Sequence, residues 1–349
     1  MTETATPGQA GEEAKTLPQP YRLRVKDSLL KICLGEIVIR RRKLPVLAAE
    51  YLPVGCQAAP EPMEPPLAVP EGAGMLLSSY PLARPLKRIS VNGQWIRYVA
   101  RHYRHCYTDL RGTFNDYLQA HFSSKTRQTL RRKCKRMAQR SGGQLQWKAY
   151  ATPHEIEEFL THAGRLAPKT YQQRLLSLGV RTDEAFRARA AELAAKDEVR
   201  AFLLFCDDKP IAYLYCPCRD GALQYDSLGY DPEYAEFSPG TVLQYRVMEY
   251  LFTQRQFPFF DFEKGEGAHK ELFASTSQLC GDIYFLRRRA GNYFTVWLHL
   301  ASEGATDVVG ALLRPLGLKH RFKRFLRRRL PLSIVHRPLG RSDGSDQPA

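Results

Sequence analysis

The residue types able to do chemistry are concentrated between Leu223 and Lys270, in the stretch LQYDSLGYDPEYAEFSPGTVLQYRVMEYLFTQRQFPFFDFEKGEGAHK. Within it, Ser238-Pro239-Gly240-Thr241 precedes a segment that puts Val242, Tyr245, Met248, Leu251 and Phe252 on one helical face. A helix start leaves backbone N–H groups unpaired and carries roughly half a positive charge, so such a loop is a seat for a phosphate or pyrophosphate. The same turn is also an ordinary way to begin a helix. A second short apolar run, Phe257 to Phe260, delivers Asp261 to a glycine-punctuated loop, Glu263-Lys264-Gly265-Glu266-Gly267. Upstream, Lys125, Arg127, Arg131, Arg132, Lys133, Lys135, Arg136 and Arg140 lie on one helical segment without an acid between them. A basic helix is commonly a solvated face, but charge this one-sided also suits phosphate contact. His102, His105 and Cys106 have the look of a metal set. On an extended strand the two histidines point to opposite faces, which argues against a shared ion.

These groups need elements to hold them. Leu223 to Gly229 has strand character, and the loop after it closes on the helix start. Val199 to Cys206, the turn Asp207-Asp208-Lys209-Pro210 and Ile211 to Cys218 form a hairpin. With the strand at Leu223 they make an antiparallel meander. Gln144 to Tyr150 reads as a strand, and Thr152-Pro153-His154-Glu155 as a capping box opening helical patterns that run to about Lys196. Breaks fall near Ala167-Pro168 and Leu178-Gly179. Thr113 caps a short helix, and Ser123 or Ser124 caps the basic one, which ends at Gly142-Gly143. Earlier, Ile37-Val38-Ile39 is strand-like, Pro53 to Pro70 is a Pro- and Ala-rich loop, and Pro85 to Leu110 holds two strands. Asp282 to Arg288 is a further strand, followed by helical stretches at Tyr293–Ser302 and Thr306–Leu313. Leu316, Leu318, Phe322, Phe325 and Leu326 then interleave with lysines and arginines up to Arg329. That basic amphipathic pattern suits an anionic membrane surface or a helix packed on the body.

A chain of 349 residues holds one large domain or two modest ones, and its 44% hydrophobic and 25% charged content excludes a disordered or fibrous class. The net charge of +16 calls for an anionic partner: nucleic acid, an acidic membrane, or a phosphate-rich cofactor or substrate. None of the eight cysteines sits in CxxC spacing, so they read as reduced thiols of a cytoplasmic protein. The acidic start MTETATPGQAGEEAK lacks the apolar core of a signal peptide, and no apolar run is long enough to span a bilayer.

The segments SSKTRQTLRRKCKRM, LGYDPEYAEFSPGTVLQY and FDFEKGEGAHKELF, in this order around a hairpin, resemble the GNAT-fold acyltransferases of the CelD-like branch, relatives of the FemAB peptidyltransferases. The resemblance covers roughly His121 to Phe285. It implies an α/β (α+β) fold with a GNAT-like, mostly antiparallel central sheet flanked by helices. The expected layout is a disordered tail at 1–19, a partial GNAT-like half at 20–111 and the acyltransferase domain at 112–290. C-terminal helices with the basic end occupy 291–335, and a second tail 336–349. The implied activity is N-acylation of an amine from acetyl-CoA or another acyl-CoA, without a metal. The implied acceptor is an amino sugar or another envelope or polysaccharide precursor; a membrane contact through the basic C-terminal segment, if that segment is not packed on the body, would be peripheral, at the inner face. The CoA pyrophosphate would sit on Glu236 to Thr241, hence Phe237, Ser238, Pro239, Gly240 and Thr241, with Arg246 as a cation. Asp261, Asp226 and Glu263 are the carboxylates able to take the amine proton, beside Lys270. Where the family usually has Tyr-Lys this chain has His269-Lys270, which leaves the tyrosine hydroxyl's role open and offers His269 as a proton shuttle. Two other readings keep the fold. One is a FemAB-like transferase using aminoacyl-tRNA, with the basic helix on RNA. The other is a non-catalytic module in a polysaccharide-synthesis assembly.

Overall fold

The computed structural model describes residues 20, 22–34, 37–170, 179–264 and 267–313. The two expected tails, the basic segment Leu316–Arg329, and Gly265 and Glu266 lie outside these residues, as does the side chain of His269. Alternation of apolar and polar residues builds a long antiparallel hairpin first: β1 (Arg22–Leu34) and β2 (Ile37–Glu50). It is far longer than the three-residue strand the sequence suggested, because basic residues fall on both of its faces and break the alternation: Arg24 and Lys26 are half-buried while Leu23, Val25 and Leu29 are exposed. β2 runs parallel to β3 (Gly74–Pro81). β4 (Ile89–Asn92) and β5 (Trp95–Asp109) form the next hairpin.

Two helices follow, α1 (Phe114–His121) and α2 (Ser124–Arg140), capped by the side chains of Thr113 and Ser123. β6 (Gln146–Tyr150) leads to α3 (Pro153–Leu166), whose capping box joins Thr152 and Glu155. A short 3₁₀ turn at Ala167–Lys169 ends α3, and α4 (Glu184–Ala195) returns to the sheet. β7 (Val199–Cys206) and β8 (Lys209–Arg219) form the expected hairpin. The strand expected from Leu223 is split into β9 (Ala222–Gln224) and β10 (Ser227–Tyr230). α5 (Pro239–Gln254) begins at the predicted loop. β11 (Phe259–Lys264) runs further than expected and contains Asp261 within the strand. α6 (Ala268–Phe273), β12 (Thr276–Arg287) and one continuous α7 (Ala290–Leu313) complete the described chain. The two separate helical stretches expected in the last region are thus a single helix.

A single mixed, mostly antiparallel sheet runs β1-β2-β3-β12-β5-β11-β9-β8-β7-β6, with β10 paired to β8 and β4 to β5. β12 from the C-terminal half lies between β3 and β5, so both halves share one hydrogen-bonded sheet. The core around α5 joins α1, α2, β7, β8 and β11 through buried residues such as Leu130, Phe202, Leu214, Leu243, Met248 and Phe260. A second core, under α3 and α4, is built on Phe159, Leu160, Ala190 and Tyr213.

Candidate active site

The feature that organises the site is a place where two parallel strands part. β9 pairs with β11 through Ala222–Phe259, Leu223–Phe260 and Gln224–Asp261. The last rung is the Tyr225 N–H donating to the Asp261 carbonyl at 2.8 Å. From Asp226 onward the chain bonds β8 instead, the Asp226 N–H reaching the Tyr215 carbonyl at 3.2 Å. Leu223 faces Cys218 and Ser227 faces Tyr215, so one strand gains a residue on its partner, a bulge that turns it. β11 meanwhile stays with β5. The Asp231 N–H bonds the Ile211 carbonyl at 2.8 Å. By antiparallel alternation the N–H groups of Leu228 and Tyr230 therefore point away from β8, into the wedge.

Apolar contacts hold the floor of the wedge. Tyr225 lies 5.8 Å from the Phe262 ring, and Phe260 and Phe262 meet edge to face at 5.0 Å. The Gly229 position is closed from behind, since a Cβ there would lie 2.5 Å from the Tyr213 ring.

A polar group sits where the strands separate. Asp261 is fully buried. His105 Nε2–H donates to its Oδ1 at 2.6 Å, and the Glu263 N–H donates to the same oxygen at 2.7 Å. The Gln224 amide donates to Oδ2 at 3.5 Å. Burial works against ionising Asp261, but His105 and these hydrogen bonds hold its carboxyl below the ordinary carboxylate value. The Glu263 N–H is directed there by a second bulge. Asp261 faces Tyr107 but Lys264 already faces His105, and Glu263 takes the left-handed region at φ 58°.

That placement changes the acidity of Glu263. Burial, then the neighbouring carboxylates of Asp261 and Asp226, push its pKa up to about 7, against the pull of Arg219 and Lys270. Lys270 on α6 is held below its usual value, first by burial, with Glu263 and Asp261 opposing. Its ammonium donates to the Lys264 carbonyl at 3.3 Å. α6 itself is pinned from beneath, where Tyr117 Oη–H and Thr108 Oγ1–H donate to the Phe273 carbonyl and His121 to that of Leu272.

The helix start lies on the other arm of the wedge. Ser238 is in the left-handed region at φ 54° and its side chain caps nothing. Pro239 brings no N–H, and the first helical bond is from the Val242 N–H to the Ser238 carbonyl. The N–H groups of Gly240 and Thr241 therefore have no acceptor within the helix. A Cβ at Gly240 would lie 3.1 Å from Leu228 of β10, so the loop rests directly on the wedge strand. α2 lies alongside, with Arg136 stacked at 5.5 Å on the Phe237 ring and 3.9 Å from Glu236.

Of the residues singled out in the sequence, Asp226, Asp261, Glu263 and Lys270 gather at the wedge, and Phe237 to Thr241 flank its open arm. Arg246 does not join them. It pairs with Glu249 at 2.6 Å and stacks on Trp147. The cation beside the loop is Arg136 instead, which one-dimensional spacing could not distinguish from its neighbours on α2. His105, the partner of Asp261, was also missed, because the pairing depends on strand register. His102 faces away and accepts from the Leu86 N–H at 3.0 Å. Among the described residues no group of three or more His, Cys, Asp or Glu is placed to hold a metal ion, and none of the eight cysteines is in a disulfide. No described helix is long and apolar enough to cross a membrane.

Residues 124–271, from α2 into α6, match the family model described as an acetyltransferase (GNAT) domain. The match spans less than half of the chain. No curated protein matches the sequence. Among solved structures, the C-terminal domain of a protein assigned as a lysylphosphatidylglycerol synthetase from Agrobacterium fabrum is 12% identical, with a TM-score of 0.44, over 67% of this chain and 72% of that one. The L-PGS of Bacillus licheniformis is 12% identical with a TM-score of 0.40, over 60% of this chain and 67% of its own. FemX is 11% identical with a TM-score of 0.40, over 54% and 63%.

Proposed function

We propose that the chain is an acyl-CoA-dependent N-acyltransferase of the CelD-like branch, acylating the amine of an amino sugar or another envelope or polysaccharide precursor. The observation that carries this reading is the wedge between β10 and β11, with unpaired N–H groups on one wall and Glu263 on the other. Acyl-CoA supplies an activated thioester carbonyl. The Leu228 or Tyr230 N–H is directed to donate to the carbonyl oxygen as negative charge builds there. The Gly240 and Thr241 N–H groups, with Arg136, suit the pyrophosphate. Asp261 is too deeply buried to meet substrate, and we assign it to holding the Glu263 bulge. Glu263, ionised in about half of the molecules near pH 7, takes the proton of the attacking amine. Lys270 holds the loop end through the Lys264 carbonyl. His269 remains a candidate proton shuttle, adjacent to Lys270 in sequence. The cytoplasmic placement expected from the cysteines and the membrane-peripheral contact expected from Leu316–Arg329 belong to this proposal.

A second reading, transfer from aminoacyl-tRNA, draws on the exposed cations Lys125, Arg131, Arg132 and Lys135 of α2. Thiol release from acetyl-CoA and longer acyl-CoA over a panel of amino sugars and simple amines tests the first reading. Amine-dependent release that is lost in Glu263→Gln is expected. No release with any donor, together with tRNA retention that weakens steeply with salt, would transfer the proposal to the second reading.

A further inference from the structure

The sheet face that carries His105 and Asp261 continues past the wedge as a polar stripe that the transfer chemistry does not use. Alternation along β5 puts Tyr103 and Arg101 on the face of His105. The register sets Lys264 opposite His105 and Asp282 opposite Arg101. Arg101 Nε–H donates to Asp282 at 2.7 Å, and its guanidinium lies 5.1 Å from the Tyr103 ring centroid. The Ser79 N–H at 3.1 Å and Ser78 Oγ–H at 3.2 Å also donate to Asp282, while Tyr103 Oη–H donates to Ser79 Oγ at 2.7 Å. Ser79 adopts φ 60° to do this, a conformation a serine rarely takes. At the sheet edge, Arg24 and Lys26 share Glu50 at 2.8 and 3.2 Å.

The charges do not balance. Arg24, Lys26, Arg101 and Lys264 face Glu50 and Asp282, which leaves a surplus of two positive charges on this half-buried face. The Lys264 ammonium has no hydrogen bond or ion pair within 4.0 Å among the described residues, and its nearest ring is Tyr103 at 6.0 Å. Burial first, and then Arg24 and Lys264, hold Lys26 below the usual lysine value despite Glu50. Half-buried cations in surplus call for an anion.

We propose that this stripe is the acceptor subsite and that it binds a phosphate group on the amine substrate, through Lys264 with Arg101 and Lys26. A surplus of two charges suits a phosphate, and Lys264 follows Glu263 directly in β11, so an acceptor held there presents its amine at the wedge. The acceptor is thereby a phosphorylated amine. This inference rests on the N-acyltransferase reading, but its test does not need turnover.

The test is calorimetric titration of the whole chain with phosphoethanolamine and with ethanolamine, and separately with acetyl-CoA. The wild type is expected to bind the phosphorylated amine at least tenfold more tightly (~10-fold per charge-assisted contact). Lys264→Gln should collapse that preference and Lys264→Arg retain it. Equal affinity for the two amines in the wild type, or a preference unchanged in Lys264→Gln, would overturn the inference. Lys264-dependent binding in a protein that takes no acyl-CoA would keep the phosphate site and remove the acyltransferase reading. Turnover of both amines with equal efficiency would do the reverse. Lys264-dependent cosedimentation with phosphatidylethanolamine vesicles assigns the phosphate to a lipid headgroup. Binding of the soluble amine alone assigns it to a soluble acceptor.

Discussion

Glu263→Gln should cost activity and add stability, and both effects should follow pH. The Glu263 carboxyl moves from an ordinary value of 4.5 to about 7 in the folded chain. The difference, 7 − 4.5, is about 2.5 units, or about 3 kcal/mol at about 1.4 kcal/mol per unit. The folded state keeps the proton over a range where the unfolded state has released it. Stability of the wild type therefore falls as pH rises from about 4.5 to about 7 and levels off above. The glutamine keeps the size and removes the charge that Asp261 and Asp226 oppose. Near pH 4.5 the two proteins should unfold alike. By pH 8 the variant should be more stable by about 3 kcal/mol, a shift of several degrees in Tm. Activity should move the other way. Wild-type kcat/KM should rise with pH to a midpoint near 7, and the variant should lose about 10²- to 10⁴-fold along with that dependence. Urea unfolding at stepped pH and initial rates over the same range measure both. A stability difference that does not change between pH 5 and 8, or a variant that keeps the wild-type rate profile, would refute the reasoning.

Removing the partner of Asp261 by His105→Ala should destabilise by about 3–5 kcal/mol, as expected when a buried carboxylate loses its pair; chemical denaturation should show it together with weakened acyl-CoA binding. Gly229→Ala must move the buried Tyr213 ring, whose hydroxyl accepts from the Val180 N–H, and should cost about 1–3 kcal/mol by the same measurement. Thr152→Ala removes the α3 capping box far from the wedge and should cost about 1 kcal/mol with kcat/KM unchanged.

Local signals in the sequence located much of this architecture. Thr113, Ser123 and Thr152 mark real helix starts because each side chain satisfies a backbone N–H that the helix leaves open. The hairpin of Val199 to Cys218 was legible from two apolar runs around a polar turn. The wedge was not, since its cause is a change of partner at Asp226 within what reads as one continuous strand. Nor was the bulge at Glu263, where a non-glycine residue takes a left-handed conformation because Asp261 accepts its N–H. The site carboxylates could be named from sequence but not ranked: Asp261 and Glu263 differ by two positions and have opposite pKa shifts. Arg246 and Arg136 were likewise indistinguishable until helix packing placed one against Trp147 and the other against Phe237. The long β1–β2 hairpin was hidden because basic residues fall on both of its faces, and the half-buried Arg24 and Lys26 supply part of the polar stripe.

The most direct test of the wedge and helix start as an acyl-CoA site is calorimetric titration with acetyl-CoA, comparing the wild type with Gly240→Asp and with Gly240→Ala. The alanine meets the same tight contact with Leu228 and so controls for size. Binding by the wild type and the alanine variant, lost in the aspartate variant while circular dichroism stays unchanged, is the predicted result. Equal binding by all three, or no binding of acetyl-CoA or a longer acyl-CoA by the wild type, would contradict it.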